Sequence, residues 1–301
     1  MSNQKRRLPF VQVDVFTSVP LEGNQLAVFP DGRSLTDQEM QALAREMNFS
    51  ETTYVLPRDA ATERERGIRV RIFTVADELP FAGHPTLGTA MVLRNNGVGG
   101  PGDGEEVALD LNVGRIPVRF SNRDGLPFGV MTQRDPEFGR KHSREDVARA
   151  AGLSPDDIAP DLPTQTVSTG NAFIIVPLRS LSVLQNLAPT WSHMKSYLEK
   201  SDARFFYFVS REAVNPEAKL QARMIFYNGE DPATGSAAGP CAAWAVRYGV
   251  VPPDQQALIE QGVEMQRRSR IFFSASRHGD QIVNVRVGGH AVEVARGEVF
   301  L

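Results

Sequence analysis

The sequence predicts a mixed α/β (α+β) fold made of two similar halves, and three observations carry that expectation. Strand-like runs alternate with helical periods along all 301 residues. Two stretches, 71–93 and 226–246, each run from a strand through a polar turn into a helix start led by a glycine, Gly83 in one and Gly235 in the other. The order of elements also recurs. Gly23-Asn24 precedes an apolar strand as Gly170-Asn171 does, SETTYVLP falls opposite DARFFYFVS with Tyr54 set against Tyr207, and IRVRIF falls opposite LQARMIF.

Taken in order, residues 8–17 are β-rich, with Phe10, Val11, Val13, Val15 and Phe16, and end at a turn carrying Pro20 and Gly23. Residues 25–29 form the returning strand. Thr36 and Glu39 make a capping box, and Met40, Leu43, Ala44 and Met47 recur at helical spacing, so a helix is predicted that ends near Asn48. Strands follow at 51–56 and 68–73, which places Glu51 at a strand mouth. A helix opens at His84 with Pro85 in its first turn. After a loop at 97–104, residues 107–111 and 115–120 read as hairpin strands. In the second half, helices are expected at 143–151 and 191–198, with strands at 163–168, 172–177, 205–209, 220–226, 271–276, 282–287 and 292–299. The aromatic run Phe205, Phe206, Tyr207 and Phe208 reads as a strand buried on both faces or at the junction of the halves. Lys195, Lys200, Arg267, Arg268 and Arg270 read as solvated surface.

A hydrophobic content of 41% and the absence of low-complexity tracts suffice for two cores of ordinary domain size. The halves are expected at 1–124 and 125–301, with the polar stretch 122–127 as the crossing point and the extreme C-terminal strand crossing back to the first half. A formal net charge of −3 with scattered basic residues leaves no electrostatic footprint for nucleic acid or an anionic membrane. The expected partner is a small molecule or another protein. A lone cysteine, Cys241, excludes an intramolecular disulfide, a CxxC pair and a thiolate zinc cage, and fits a reducing, cytoplasmic setting. The basic N-terminus is followed by an apolar stretch that Asp14 interrupts, unlike a signal peptide, and no apolar run approaches the length of a membrane span.

At the start of the helix after Gly235, unpaired N–H groups and the positive end of the helix dipole suit an anionic guest. The competing reading is that Asp231 with Thr234 or Ser236 only caps the helix. A second glycine-led start at Gly83 favours the anion site, in a cleft between the halves. DPATGSA lacks the lysine of a P-loop, which argues against a nucleotide. The repeat is asymmetric, because the register that matches Tyr54 with Tyr207 sets Glu51 opposite Arg204. One acid, with Cys241 inside its helix, fits a single-base proton shuttle better than a racemase with two opposed bases.

Four blocks, VDVFTSVPLEGNQLAVF, NFSETTYV, FTVADELPFAGHPTLGTA and DPATGSA, occur in an order that resembles the PhzF-like (phenazine biosynthesis) family over nearly the whole chain. The resemblance implies the diaminopimelate-epimerase-like fold, two similar halves each wrapping a highly curved sheet around a central helix, in a homodimer. It makes Glu51 the general acid/base and sets His84 and Asp231 along the substrate cavity. Gly83, Gly235 and Ser236 would supply donors to a substrate carboxylate. The implied activity is a cofactor-free isomerisation of the dihydro-hydroxyanthranilate type, with no metal and a small carboxylated metabolite as partner. No second histidine lies near His84 in sequence, which also argues against a metal site. Val75 where relatives carry proline, and the Pro240-Cys241 pair, depart from the family pattern away from the expected catalytic positions.

Moving a double bond by proton transfer needs a base that takes a proton from carbon and returns it to another carbon on the same face. A carboxyl group whose pKa is raised by burial can do both near neutral pH. Glu51 is expected in that role. Two rival expectations are a catalytically silent binding protein that keeps the fold, and a two-base amino-acid epimerase or racemase.

Overall fold

A computed structural model describes residues 6–97, 106–226 and 229–301. Most of the loop expected at 97–104 lies outside them. The chain divides into two compact units, Met1–Met131 with Gly288–Leu301, and Thr132–Val287.

In the first unit, β1 (Arg7–Val15) pairs antiparallel with β2 (Asn24–Phe29). Helix α1 (Asp37–Met47) carries the chain over to β3 (Glu51–Val55), which lies parallel to β2. The capping box is present: Thr36 Oγ1 accepts from the Glu39 amide, and Glu39 Oε2 accepts from the Thr36 amide, at 3.3 and 2.8 Å. Asn48 closes the helix in the left-handed conformation. Helix α2 (Ala60–Arg66), capped by Asp59, leads to β4 (Ile68–Phe73), antiparallel to β3. Strand β4 then pairs antiparallel with β5 (Glu78–Leu79). Next comes α3 (Gly83–Asn95), in which every residue from Gly83 to Leu93 is buried. A helix apolar on all sides belongs in the middle of a core, and α3 packs against β1, β2 and β3. Gly88 lets it approach so closely: a Cβ there would sit 2.7 Å from both Leu26 Cδ2 and Val15 Cγ2. Strand β6 (Glu106–Leu111) runs parallel to β4, and β7 (Gly114–Arg123) and β8 (Leu126–Thr132) continue antiparallel from it.

In the second unit, β9 (Glu137–Lys141) pairs with β10 (Gln165–Ser168) across α4 (Arg144–Ala151), which Ser143 caps. Strand β11 (Ala172–Leu178) returns antiparallel to β10. Helices α5 (Leu181–Gln185) and α6 (Trp191–Leu198) cross to β12 (Phe205–Ser210), parallel to β11. Strand β13 (Leu220–Phe226) is antiparallel to β12 and β14 (Gly229–Asp231) is antiparallel to β13. Helix α7 (Gly235–Arg247) follows, buried at every position from Gly235 to Val246 except Ser236. Strand β15 (Ala257–Gln261) is parallel to β13, β16 (Ser269–His278) is antiparallel to β15, and β17 (Gln281–Gly289) comes next. The pairing order β11, β12, β13, β14, α7, β15, β16 repeats β2, β3, β4, β5, α3, β6, β7 with every strand in the same sense. The duplication in the sequence is thus a duplication of topology.

Strand β12 is covered on both faces, with Phe206, Tyr207 and Phe208 fully buried. Phe206 and Phe208 stack at 5.6 Å on the α4, α5 and α6 side, while Tyr207 points to the opposite face.

The last strand, β18 (Ala291–Phe300), pairs antiparallel with β1 along almost its whole length, with one bulge at Gln12/Val13. The stretch 122–127 is not a crossing between halves. Asp124 and Gly125, at φ of 55° and 79°, form the tight hairpin turn that joins β7 to β8. The division accordingly falls after Met131, seven residues beyond the 124/125 boundary expected from the sequence.

Candidate active site

In the first unit three element starts converge. Asn24 is the first residue of β2, Glu51 the first of β3, and His84 the second of α3. Parallel pairing of β2 and β3 brings their N-terminal ends to the same edge, with Leu26 beside Glu51. His84 Nε2 lies 3.3 Å from Glu51 Oε2, and Asn24 Nδ2 lies 3.1 Å from His84 Nδ1. The Glu51 side chain is 15% exposed and that of His84 only 4%. Glu51 is thus largely buried with a small accessible remainder, and the more deeply buried His84 stands against its Oε2.

Burial pushes the His84 imidazole down to about 3, against a smaller upward pull from a hydrogen bond to the Gln25 backbone. The ring is neutral at any working pH. Asn24 Nδ2 approaches Nδ1 and Nε2 faces Glu51 Oε2, so the ring stands between an amide and a carboxyl group. His84 Nε2 is buried and makes no hydrogen bond of regular geometry, although a carboxylate oxygen is within ion-pair distance. Such a group costs stability, and polar atoms left in that state concentrate where chemistry is done.

In the second unit the N-cap of α7, Thr234, makes no side-chain capping bond. The starts of α3 and α6 lack one as well, whereas α1, α2, α4 and α5 have one. Asp231 Oδ2 instead accepts a 2.6 Å hydrogen bond from the Thr234 hydroxyl. Ser236 is half-buried while Pro232, Ala233, Thr234 and Gly235 around it are buried, so its hydroxyl marks the accessible point of this helix start.

Four residues that the sequence did not single out complete these arrangements. Gln261, at the end of β15, holds the 231–234 turn, with Tyr207 behind it. Gln133 donates through Nε2 to the Gly235 carbonyl at 2.9 Å and accepts through Oε1 from Thr169 Oγ1 at 2.6 Å. Asn24 was visible as half of the repeated Gly-Asn pair. The two glutamines sit far from the turn in sequence and carry no local signal.

Cys241 is buried inside α7, and loss of solvation drives its thiol far above the ordinary range. It is no base for a two-base racemase. Among the described residues no group of histidine, cysteine and carboxylate side chains could hold a metal ion, and no helix is long and apolar enough to cross a membrane.

The chain is 27% identical to a phenazine biosynthesis protein of the PhzF family from Bacillus anthracis, whose crystal structure it matches with a TM-score of 0.87, covering 98% of this chain and 100% of that one. It is 36% identical to an uncharacterized isomerase of Mesorhizobium japonicum, over 97% of this chain and 98% of the relative. It is also 34% identical to the trans-2,3-dihydro-3-hydroxyanthranilate isomerase of Pseudomonas chlororaphis, over 97% and 99%. Fold and relatives together define an isomerase. The phenazine biosynthesis-like family model matches residues 13–297, and the chain belongs to that family.

Proposed function

We propose that the chain is a cofactor-independent isomerase that shifts a proton, and with it a double bond, in a small carboxylated, cyclic or unsaturated metabolite. The observation that carries this reading is the largely buried Glu51 carboxyl, still partly accessible, set against the buried, neutral His84. In the proposed cycle Glu51 takes a proton from one substrate carbon and returns it to another on the same face. No net proton is gained or lost, so the carboxyl group alone closes the reaction. His84, neutral and set against Glu51 Oε2, orients the carboxyl group; at 4% exposure it acts through Glu51.

The reading assigns Asp231, Gly83, Gly235 and Ser236 to substrate binding. Gly83 and Gly235 lead helix starts without side-chain caps, where backbone N–H groups suit a carboxylate, and Ser236 adds a hydroxyl donor. Asp231 would repel a carboxylate, so it is assigned to an amine, a hydroxyl or a proton in transit. Trans-2,3-dihydro-3-hydroxyanthranilate, which the Pseudomonas relatives' name specifies, is the first compound to test. A cytoplasmic homodimer is part of the same proposal.

The test is Glu51→Gln, which keeps the shape and removes the base. Turnover should fall by roughly 10²–10⁴-fold, and solvent-deuterium incorporation into product, followed by NMR, should stop with it. Unchanged turnover and exchange would remove Glu51 from the mechanism. A wild-type protein that binds the compound and never turns it over would favour the silent binding protein instead.

A further inference from the structure

The 231–234 turn is held by a hydrogen-bond network whose donors and acceptors are all determined. Gln261 is fully buried, and its amide orientation is set by two backbone groups. The Thr234 N–H can only donate, and it meets Oε1 at 3.1 Å. The Asp231 carbonyl can only accept, and it meets Nε2 at 2.7 Å. Nε2 then donates its second hydrogen to Thr234 Oγ1 at 2.9 Å. That leaves the Thr234 hydroxyl one course, to donate its own hydrogen to Asp231 Oδ2 at 2.6 Å. Tyr207, fully buried and kept protonated by loss of solvation, donates to the remaining lone pair of Oε1 at 2.9 Å. Both donors and both acceptor sites of the Gln261 amide are used.

The geometry points to Gln261 as a positioning residue: by dictating the direction in which the Thr234 hydroxyl donates, it holds Asp231 as a hydrogen-bond acceptor at the start of α7. It touches no part of a substrate site itself. Its effect reaches the Asp231 carboxylate through one hydroxyl. A glutamate at this position could not donate to both the Asp231 carbonyl and Thr234 Oγ1. The Thr234 hydroxyl would then be free to turn toward the new carboxylate, which would also add a like charge beside Asp231. Tyr207, which feels the charge of Asp231, and Cys241 beside it are both held protonated by burial.

The inference rests on the assignment of Asp231 to the substrate site, and its test runs without substrate. The Asp231 carboxyl is titrated by 13C NMR in the unliganded protein, in the wild type, Gln261→Glu, Thr234→Val and Thr234→Ser. The midpoint is expected to move up by about 1 pH unit or more in Gln261→Glu and in Thr234→Val. In Thr234→Ser, which keeps the hydroxyl, it should stay within about 0.3 units of the wild type. A purely structural role would lower the melting temperature and leave the titration in place. Should Gln261→Glu not fold, Gln261→Met, which removes the amide without adding a charge, decides in its place by the same upward shift. An unmoved midpoint there, or an equal shift in the serine variant, overturns the proposal. The assignment of Asp231 is checked separately by turnover of trans-2,3-dihydro-3-hydroxyanthranilate in Asp231→Asn, so the two can fail independently.

Discussion

Replacing Gly239 by alanine, deep in α7, should destabilise the protein, although helix propensity alone favours alanine there by about 1 kcal/mol. A Cβ at this position would lie 1.9 Å from Gln133 Oε1, 2.6 Å from Gln133 Cδ and 3.0 Å from Thr169 Oγ1. Gln133 is only 5% exposed and has no open side to retreat into. Its withdrawal breaks the bond to the Gly235 carbonyl and the bond from Thr169. Two buried hydrogen bonds at about 1 kcal/mol each, plus about 1–3 kcal/mol for polar groups left unsatisfied, outweigh the propensity gain. The expected net loss is about 2–4 kcal/mol, read as a lower urea midpoint at unchanged slope. In a Gln133→Ala background the main obstruction is gone and only the 3.0 Å approach to Thr169 Oγ1 remains, so Gly239→Ala should become near neutral or stabilising by up to about 1 kcal/mol. The cycle should therefore show a coupling of about 3 kcal/mol. Stabilisation by Gly239→Ala in the unaltered protein would refute the reasoning.

Other outcomes follow from the same structure. Burial holds His84 at about 3 and His142 at about 4, against an ordinary 6.5, so the unfolded chain binds their protons first as pH falls. Stability is therefore full above pH ~6.5 and declines below it, by up to about 1.4 kcal/mol per pH unit for each histidine. Urea midpoints between pH 7 and pH 5 should show this, with a shallower slope in His84→Gln. Thr36→Ala removes one arm of the α1 capping box and should cost about 1 kcal/mol. Hydrogen exchange should quicken first in the opening turn of α1. Gly125→Ala, in the left-handed turn between β7 and β8, should cost about 1 kcal/mol by thermal unfolding, whereas Asp124→Gly should cost little.

Elements with a strong period or a chemical punctuation mark were legible. The α1 capping box, β4, α6 and β13 lie where periodicity and caps put them. The turn at Asp124-Gly125 was misread because Gly and Pro mark a hairpin and a linker alike, and only the pairing of β7 with β8 separates them. Helix α2 was missed because Ala60–Arg66 has no buried residue and hence no apolar period, its start being fixed by the Asp59 cap. At the site, the sequence picked out Glu51, His84 and Asp231 because they stand in dense motifs. Gln261 and Gln133 reach their targets across 30 and 102 residues of chain, and no local pattern announces contacts made only by the folded topology.

The pairing of β1 with β18 has a consequence for biosynthesis. Arg7 lies beside Phe300 and Val15 beside Ala291, so β1 is completed only after the whole second unit has been synthesised. At 5–20 residues per second the interval is tens of seconds. Throughout it the nascent first unit has β2 on one flank of β1 and an unfilled edge on the other. A chain cut before Ala291 would leave that edge exposed, so β18 is itself a condition for a closed first unit.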